Sequence, residues 1–323
     1  MTRPNFDERT SSEDVVGSFA SHVRGRTFLI TGPNTRGLGG NTARYLALGN
    51  PKHIILLGRR HKEQVEAVQD DIAARDPTIK TTFIECDLSD QDAIRNTASK
   101  IAENFPTIDV IINNAGIMTN QLNRDSKGNE MTLSCSHIGH FLLTNLLMPQ
   151  VLAAGPGSRI VNMSSIGHQI SPFQFDDYNF QRQPGFDGWS AYGQAKTASI
   201  LFSVELTRRL RNKGILSFAV HPGSIWTTDI SKNLTKEDFV LRDVVALRNT
   251  GMEFVDDWPE QKSMSQGTAT TLRAALDPEL KPEDPTYMVN CNGRSTYQYA
   301  LDAENARKLW ALSEELVGQE FDF

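Results

Sequence analysis

The sequence predicts an α/β protein: a doubly wound parallel sheet between two layers of helices, three layers in all. Three observations carry that prediction. Short, nearly continuous apolar runs recur along the 323-residue chain, helical patterns separate them, and the first run ends in a glycine-rich turn that opens a helix. Strands that are apolar at almost every position belong in a sheet covered on both faces. Crossovers between such strands are almost always right-handed.

The elements follow in order. "RTFLIT" (26–31) is a strand and Leu38 to Leu48 a helix. "HIILLG" (53–58) is the second strand, followed by the amphipathic helix "KEQVEAVQDDIAAR" (62–75), which Pro77 closes. "TTFIECD" (81–87) and "DQDAIRNTASKIAENF" (90–105) form the next strand and helix. "DVIINNAG" (109–116) is the fourth strand, and one longer helix covers about 130–153. "SRIVNMSS" (158–165), the long helix at 189–212 and "ILSFAVHPG" (215–223) complete the rhythm. Residues 1–24 are expected to be a flexible leader, and 25–323 a single domain. Two segments, 166–189 and 224–262, interrupt the alternation with prolines and aromatics. They leave carboxyl ends of strands, where open α/β sheets bind ligands, so they are expected to be substrate lids.

Composition narrows the function classes. A net charge of -6 argues against nucleic acid, which would ask for a basic patch. Cys86, Cys135 and Cys291 lie far apart without a C-x-x-C, so neither a disulfide framework nor a metal site is expected. No apolar run approaches the roughly 18 residues of a membrane span. The polar, acidic start does not resemble a signal peptide. A cytoplasmic protein is the expectation.

The turn "ITGPNTRGLGG" (30–40) has the look of a phosphate-binding loop. Gly32 and Gly37 have the spacing of a nucleotide-hydrolase loop, but Leu38 and Gly39 stand where Lys and Ser or Thr should follow. Further on, Tyr192 and Lys196 are four apart on a helix and share a face. A neighbouring ammonium favours the phenolate and should lower the tyrosine pKa, which lets the pair exchange a proton with a substrate oxygen. Ser165 ends the preceding strand and could orient a carbonyl against Tyr192. Asn113 and Asn114 either tie the sheet end together or mark a simple tight turn. His168 reads better as a supporting histidine than as a triad base, since no G-x-S-x-G elbow surrounds Ser165. Trp189, Trp226, Phe239, Met252 and Trp258 either line an apolar pocket or cap the core.

These pieces together resemble the short-chain dehydrogenase/reductase superfamily, and most of all its retinol-dehydrogenase-like branch. Thr31-Gly32…Gly37-Leu38-Gly39, "CDL", "NNAG", Ser165, Y-x-x-x-K and "HPG" occur in the family's order. The resemblance implies a Rossmann fold and hydride transfer between a nicotinamide and a carbonyl or alcohol. It implies that Tyr192 is the acid/base, that Lys196 tunes it and binds ribose, and that Ser165 orients substrate. Thr31, Gly32, Gly37, Leu38 and Gly39 would form the dinucleotide turn. Asp87 with Leu88 would meet the adenine, Asn113, Asn114 and Ala115 the adenosine ribose. Pro222, Gly223, Ile225 and Thr227 would lie along the nicotinamide. Many members dimerise through their long central helices, so a homo-oligomer is an open expectation.

Two departures stand out. Ser136 occupies the position where this branch usually has an asparagine that helps hold a relay water, which leaves open a protein of this fold with a non-redox role: isomerisation, cyclisation or NADP(H) sensing. The glycine turn also has one residue more than usual. As for the cofactor, "LLGRR" offers Arg59 and Arg60 where an NAD site would place an acid on the ribose. Arg36 sits just before Gly37. Guanidinium–phosphate bonds are charge-assisted and often bidentate, so two arginines near one 2′-phosphate favour NADP(H).

Overall fold

A computed structural model describes residues 5–59, 62–182, 185–225, 230, 235–256 and 261–323. In chain order come α1 (Ser12–Ser18), β1 (Thr27–Thr31), α2 (Leu38–Leu46), β2 (His53–Gly58), α3 (Lys62–Arg75), β3 (Lys80–Glu85), α4 (Gln91–Asn104) and β4 (Val110–Asn113). The short α5 (Met131–Leu133), α6 (Gly139–Leu146), α7 (Met148–Ala154), β5 (Arg159–Met163), α8 (Gly188–Leu210) and β6 (Leu216–His221) follow. Then come α9 (Lys236–Thr250), α10 (Met264–Leu276), β7 (Tyr287–Val289), β8 (Asn292–Gly293), α11 (Gln298–Leu301) and α12 (Ala303–Val317).

The strands lie in the order β3-β2-β1-β4-β5-β6-β7-β8. All neighbours are parallel except β7 and β8. Every residue of β1, β4, β5 and β6 is buried, as the unbroken apolar runs require of strands covered on both sides. Side chains alternate between two cores. Phe28 and Ile30 join Leu46, Ile54 and Val68 on one face, while Leu29 and Ile55 join Phe141, Phe202 and Trp310 on the other. The order of strands reverses between β1 and β4, and a crevice opens outside their carboxyl ends.

Three expectations change. The helix foreseen over 130–153 is broken twice. Residues Ser134–Ile138 form a π-helical turn, and a second break at Leu147 lets Pro149 sit in the first turn of α7, where its missing N–H does no harm. Two strands, β7 and β8, extend the sheet past the six foreseen. Finally, residues 5–24 are no loose leader. Ser11 and Asp14 close a capping box on α1. Val15, Val16 and Phe19 are buried in the core beside α10 residues Ala269 and Leu272, and Ser12 Oγ donates to the Ser265 carbonyl at 2.7 Å. Reading the segment's polarity as a whole hid the apolar triplet inside it.

Phe19 is 7% exposed, and its ring packs edge-on against Phe6 at 5.8 Å. Phe19→Ala should therefore lower unfolding stability by about 3 kcal/mol in urea denaturation. A loose leader would leave the midpoint unmoved.

Candidate active site

A cleft of about 670 Å³ lies at the carboxyl ends of the strands. Gly32, Gly37, Leu38, Arg59, Asp87, Leu88, Asn114 and Ala115 line one part of it. Ser165, Tyr192, Lys196, Pro222, Gly223 and Ile225 line the other. Strands far apart in sequence thus bring fourteen of the expected residues to one cleft.

The chemistry-bearing side chains come from β5 and α8. Ser165 follows β5 and caps the 3-10 turn Ile166–Ile170, its Oγ accepting the Gly167 N–H at 3.0 Å. Its hydroxyl faces that of Tyr192, near enough to favour the phenolate. A Cβ on Gly167 would lie 2.5 Å from Tyr192 Cε1, so only glycine leaves room for the ring. Lys196 Nζ sits 5.5 Å from the Tyr192 ring centre and donates to the Met163 carbonyl at 3.0 Å. Ser164 Oγ donates to the Lys196 carbonyl at 2.8 Å and bolts α8 to the end of β5.

Burial governs both titrating groups. It pushes the Tyr192 hydroxyl above its ordinary value, with the Ser165 hydrogen bond pulling the other way. It pushes Lys196 down to about 8. The expectation that the ammonium lowers the phenol is not met: desolvation of the phenolate outweighs it. Ser136 lies in the π turn, buried, with no hydrogen-bond partner for its Oγ among the described residues. Ser136 Oγ and Lys196 Nζ both lie within 3.4 Å of where a Cβ on Gly116 would stand. The glycine leaves a small space between the two groups.

Several expected ligand contacts turn out to hold the frame. Thr31 is fully buried. Its Oγ1 accepts the N–H groups of Asn114 and Ala115, each at 2.9 Å. Asn113 points away from the cleft, donating to Thr144 Oγ1 at 2.9 Å and Asn162 Oδ1 at 2.8 Å. It ties β4 to β5, as the reading of the pair as a tie at the sheet end expects, rather than marking a simple tight turn. Gly39 is a packing glycine: a Cβ there would meet the Gly32 carbonyl oxygen at 2.4 Å. Asp87 lines the cleft while its Oδ1 accepts from Ser89 N and Oγ at 2.9 and 2.7 Å. Arg36 is exposed on the arch and does not line the cleft, whereas Arg59 does. The two arginines therefore do not converge as expected.

Trp189 and Phe239 line the cleft; Met252 is exposed and does not. Arg60, Trp226, Thr227 and Trp258 lie outside the described residues. Met118, Arg242 and Phe254 join the wall without having been foreseen. Arg242 stacks on Phe254 at 3.8 Å, a pairing across a turn that no local spacing betrays.

The short chain dehydrogenase family matches residues 26–179. Human retinol dehydrogenase 13 is 35% identical over 300 residues, covering 92% of this chain and 86% of that protein. The chain belongs to the short-chain dehydrogenase family. Mouse retinol dehydrogenase 12 is 32% identical across 93% of this chain and 89% of its own. The chloroplastic short-chain dehydrogenase TIC 32 A of Brassica napus is 33% identical across 98% and 95%. Among solved structures, an uncharacterized protein of Mycobacterium paratuberculosis superposes with a TM-score of 0.68 at 30% identity, covering 94% of this chain and 98% of that one. The NADPH-bound carbonyl reductase from chicken fatty liver shares the fold at a TM-score of 0.60 and 20% identity, over 85% and 100% of the two chains. The chain is thus a retinol-dehydrogenase-like oxidoreductase of Rossmann architecture. No helix among the described residues is long and apolar enough to cross a membrane.

Two buried histidines of this short-chain dehydrogenase carry a pH signature. Burial pulls His137 down to about 3 and His140 to about 4. Both folded values lie below the unfolded value of about 6.5, so the unfolded chain binds more protons between them and stability rises with pH there. Stability should fall as pH drops from about 6.5 towards 4, by roughly 1.4 kcal/mol per pH unit for each histidine. Urea midpoints across that window check this: His137→Gln should show a visibly shallower pH slope, and an unchanged slope would contradict it.

Proposed function

We propose that the protein transfers hydride between NADP(H) and the carbonyl or alcohol carbon of a small, apolar substrate. The grouping of Ser165, Tyr192 and Lys196 in one wall of the cleft carries this reading. The neighbouring part of the cleft fits a dinucleotide. The amino end of α2 has no side-chain cap, so its first N–H groups and dipole suit a pyrophosphate. Gly32, in a left-handed conformation at φ 67°, turns the chain beneath it. Arg59 rather than an acid follows β2, which suits a 2′-phosphate. When bound, the cofactor supplies or accepts the hydride.

The chain's own groups would handle the proton. Ser165 Oγ already accepts the Gly167 N–H, so its hydroxyl proton is directed elsewhere, to Tyr192 or to a substrate oxygen. Tyr192, held neutral by burial, donates its proton to a carbonyl oxygen, and the reverse transfer serves an alcohol. Lys196 spends one N–H on Met163 and keeps two for a ribose hydroxyl or a water near Ser136. The lid side of the cleft, with Met118, Ile170, Trp189, Phe239 and Phe254, suits an apolar substrate.

The faces of the central helices bear on self-association. His137 is hydrogen-bonded to Ser313 of α12 at 2.8 Å, and Trp310 packs on Phe141 at 5.0 Å and under Arg209 at 4.0 Å. We infer that α12 occupies the surface through which the central helices would otherwise pair.

A screen of NADPH consumption against aldehydes, ketones and quinones tests the reading. Tyr192→Phe should cost at least about a hundredfold in kcat/KM; full activity in that variant, or no substrate across the panel, would overturn it. Arg59→Ala should weaken NADPH binding by roughly tenfold or more while leaving NADH binding unchanged. Arg36→Ala should do much less. Equal weakening of both cofactors in Arg59→Ala would remove the case for NADP(H).

A further inference from the structure

We infer that His168 is a positioning residue for Ser165, and that the segment following β8 serves the active site through it. The inference rests on the hydride-transfer reading above and extends the site to residues beyond the family match.

Ser165 is held from behind by His168. The Ser165 carbonyl accepts the His168 backbone N–H at 3.2 Å and its Nδ1 at 2.6 Å. A carbonyl has no proton to give, so Nδ1 carries the proton and Nε2 is left as an acceptor. Nε2 faces Thr296 Oγ1, whose hydroxyl supplies the matching donor. The ring is 1% exposed and packs on Tyr287 at 4.8 Å and Tyr297 at 6.1 Å. The His168 carbonyl in turn accepts the Tyr299 hydroxyl at 2.8 Å and Thr197 Oγ1, on α8, at 3.2 Å. The turn Ile166–Ile170 is therefore clamped between α8, which carries Tyr192, and the chain around Thr296 and Tyr299.

The clamp matters because Ser165 has little slack. Its Oγ accepts the Gly167 N–H and faces the Tyr192 hydroxyl across the cleft wall. The Tyr192 ring lies so close to Gly167 that even a methyl group would not fit. A small shift of this turn carries Ser165 off the Tyr192 hydroxyl, and misplacements near 1 Å cost about a hundredfold in rate. A polar ring buried between a carbonyl and a hydroxyl is also an expensive way merely to fill a core, since an apolar side chain would need neither partner.

Crystal structures and kinetics of His168→Leu, His168→Asn, Thr296→Val and Thr296→Ser test the inference. In His168→Leu the Ser165 Oγ should move off the Tyr192 hydroxyl. Its kcat for the carbonyl that wild type reduces best should fall by about ten- to a hundredfold, with KM and NADP⁺ affinity within about twofold. Asparagine, whose amide reproduces the Nδ1 donor, should recover much of the loss. Thr296→Val should show a smaller fall that Thr296→Ser restores, and this near-isosteric pair decides the matter where His168→Leu does not fold. An unmoved Ser165 in the variant crystals, or kcat and KM falling together with thermal stability and without conservative rescue, overturns the positioning role. A wild type that reduces no carbonyl overturns the hydride-transfer reading instead, and the crystal structures then decide the clamp alone.

Discussion

The cleft depends on one buried hydroxyl. The β1–β4 ladder runs only as far as Ile30 opposite Ile112. Beyond that pair the backbone ladder between the strands ends. Thr31 Oγ1 takes over by accepting the N–H groups of Asn114 and Ala115. The same oxygen lies 2.8 Å from His140 Nε2, and His140 Nδ1 lies 3.1 Å from the Ser136 carbonyl. The carbonyl forces the proton onto Nδ1, so Nε2 accepts from Thr31 and the chain of donors has one consistent direction. The low pKa of His140, caused first by burial, keeps that direction fixed at neutral pH. One threonine thus joins the turn after β4, the end of β1 and the π turn that carries Ser136.

Burial also sets the character of the proposed acid/base pair. Desolvation penalises a phenolate and an ammonium alike, so Tyr192 rises and Lys196 falls. A phenol kept neutral is a proton donor, the role that carbonyl reduction asks of it. The lysine in turn sets its ammonium beside Gly116 and Ser136, 5.5 Å from the Tyr192 ring centre.

Legibility in the sequence followed the range of the interactions. The parallel sheet was readable because each central strand is buried on both faces and says so with every residue. Tyr192 and Lys196 were readable because helical spacing alone puts them on one face. Local spacing does not reveal tertiary partners. Asn113 belongs to β5 through Asn162, and the buried triplet of α1 and its C-cap belongs with α10, a contact some 250 residues away in sequence that no periodicity records. β7 has only three residues, so although α10 supplies a crossover helix before it, the run beside Pro285 is too short to announce a strand. The break in the helix over 130–153 had a sequence mark at Pro149 but none at Ser136, because a π turn uses helical residues throughout.

The long glycine turn shows how the same physics decides between two arginines. Its extra residue is absorbed within the arch: Gly37 N–H closes on the Asn34 carbonyl at 2.9 Å, and Asn34 Oδ1 accepts the Arg36 N–H at 2.9 Å. Arg44 then pins Thr35 from α2, donating to its carbonyl at 3.0 Å and its hydroxyl at 2.7 Å, while its Nε reaches Asp71 of α3 at 2.7 Å. A Cβ on Gly40 would strike the Asn34 carbonyl oxygen at 2.4 Å, so α2 seats directly against the arch. Pinned on both sides, the arch turns Asn34 towards the cleft and leaves Arg36 on the solvent side. Arg36 therefore contributes no guanidinium to the wall. The charge that a 2′-phosphate would need there falls to Arg59, which follows Gly58 at the end of β2, where Pro33 of the same arch packs against the strand.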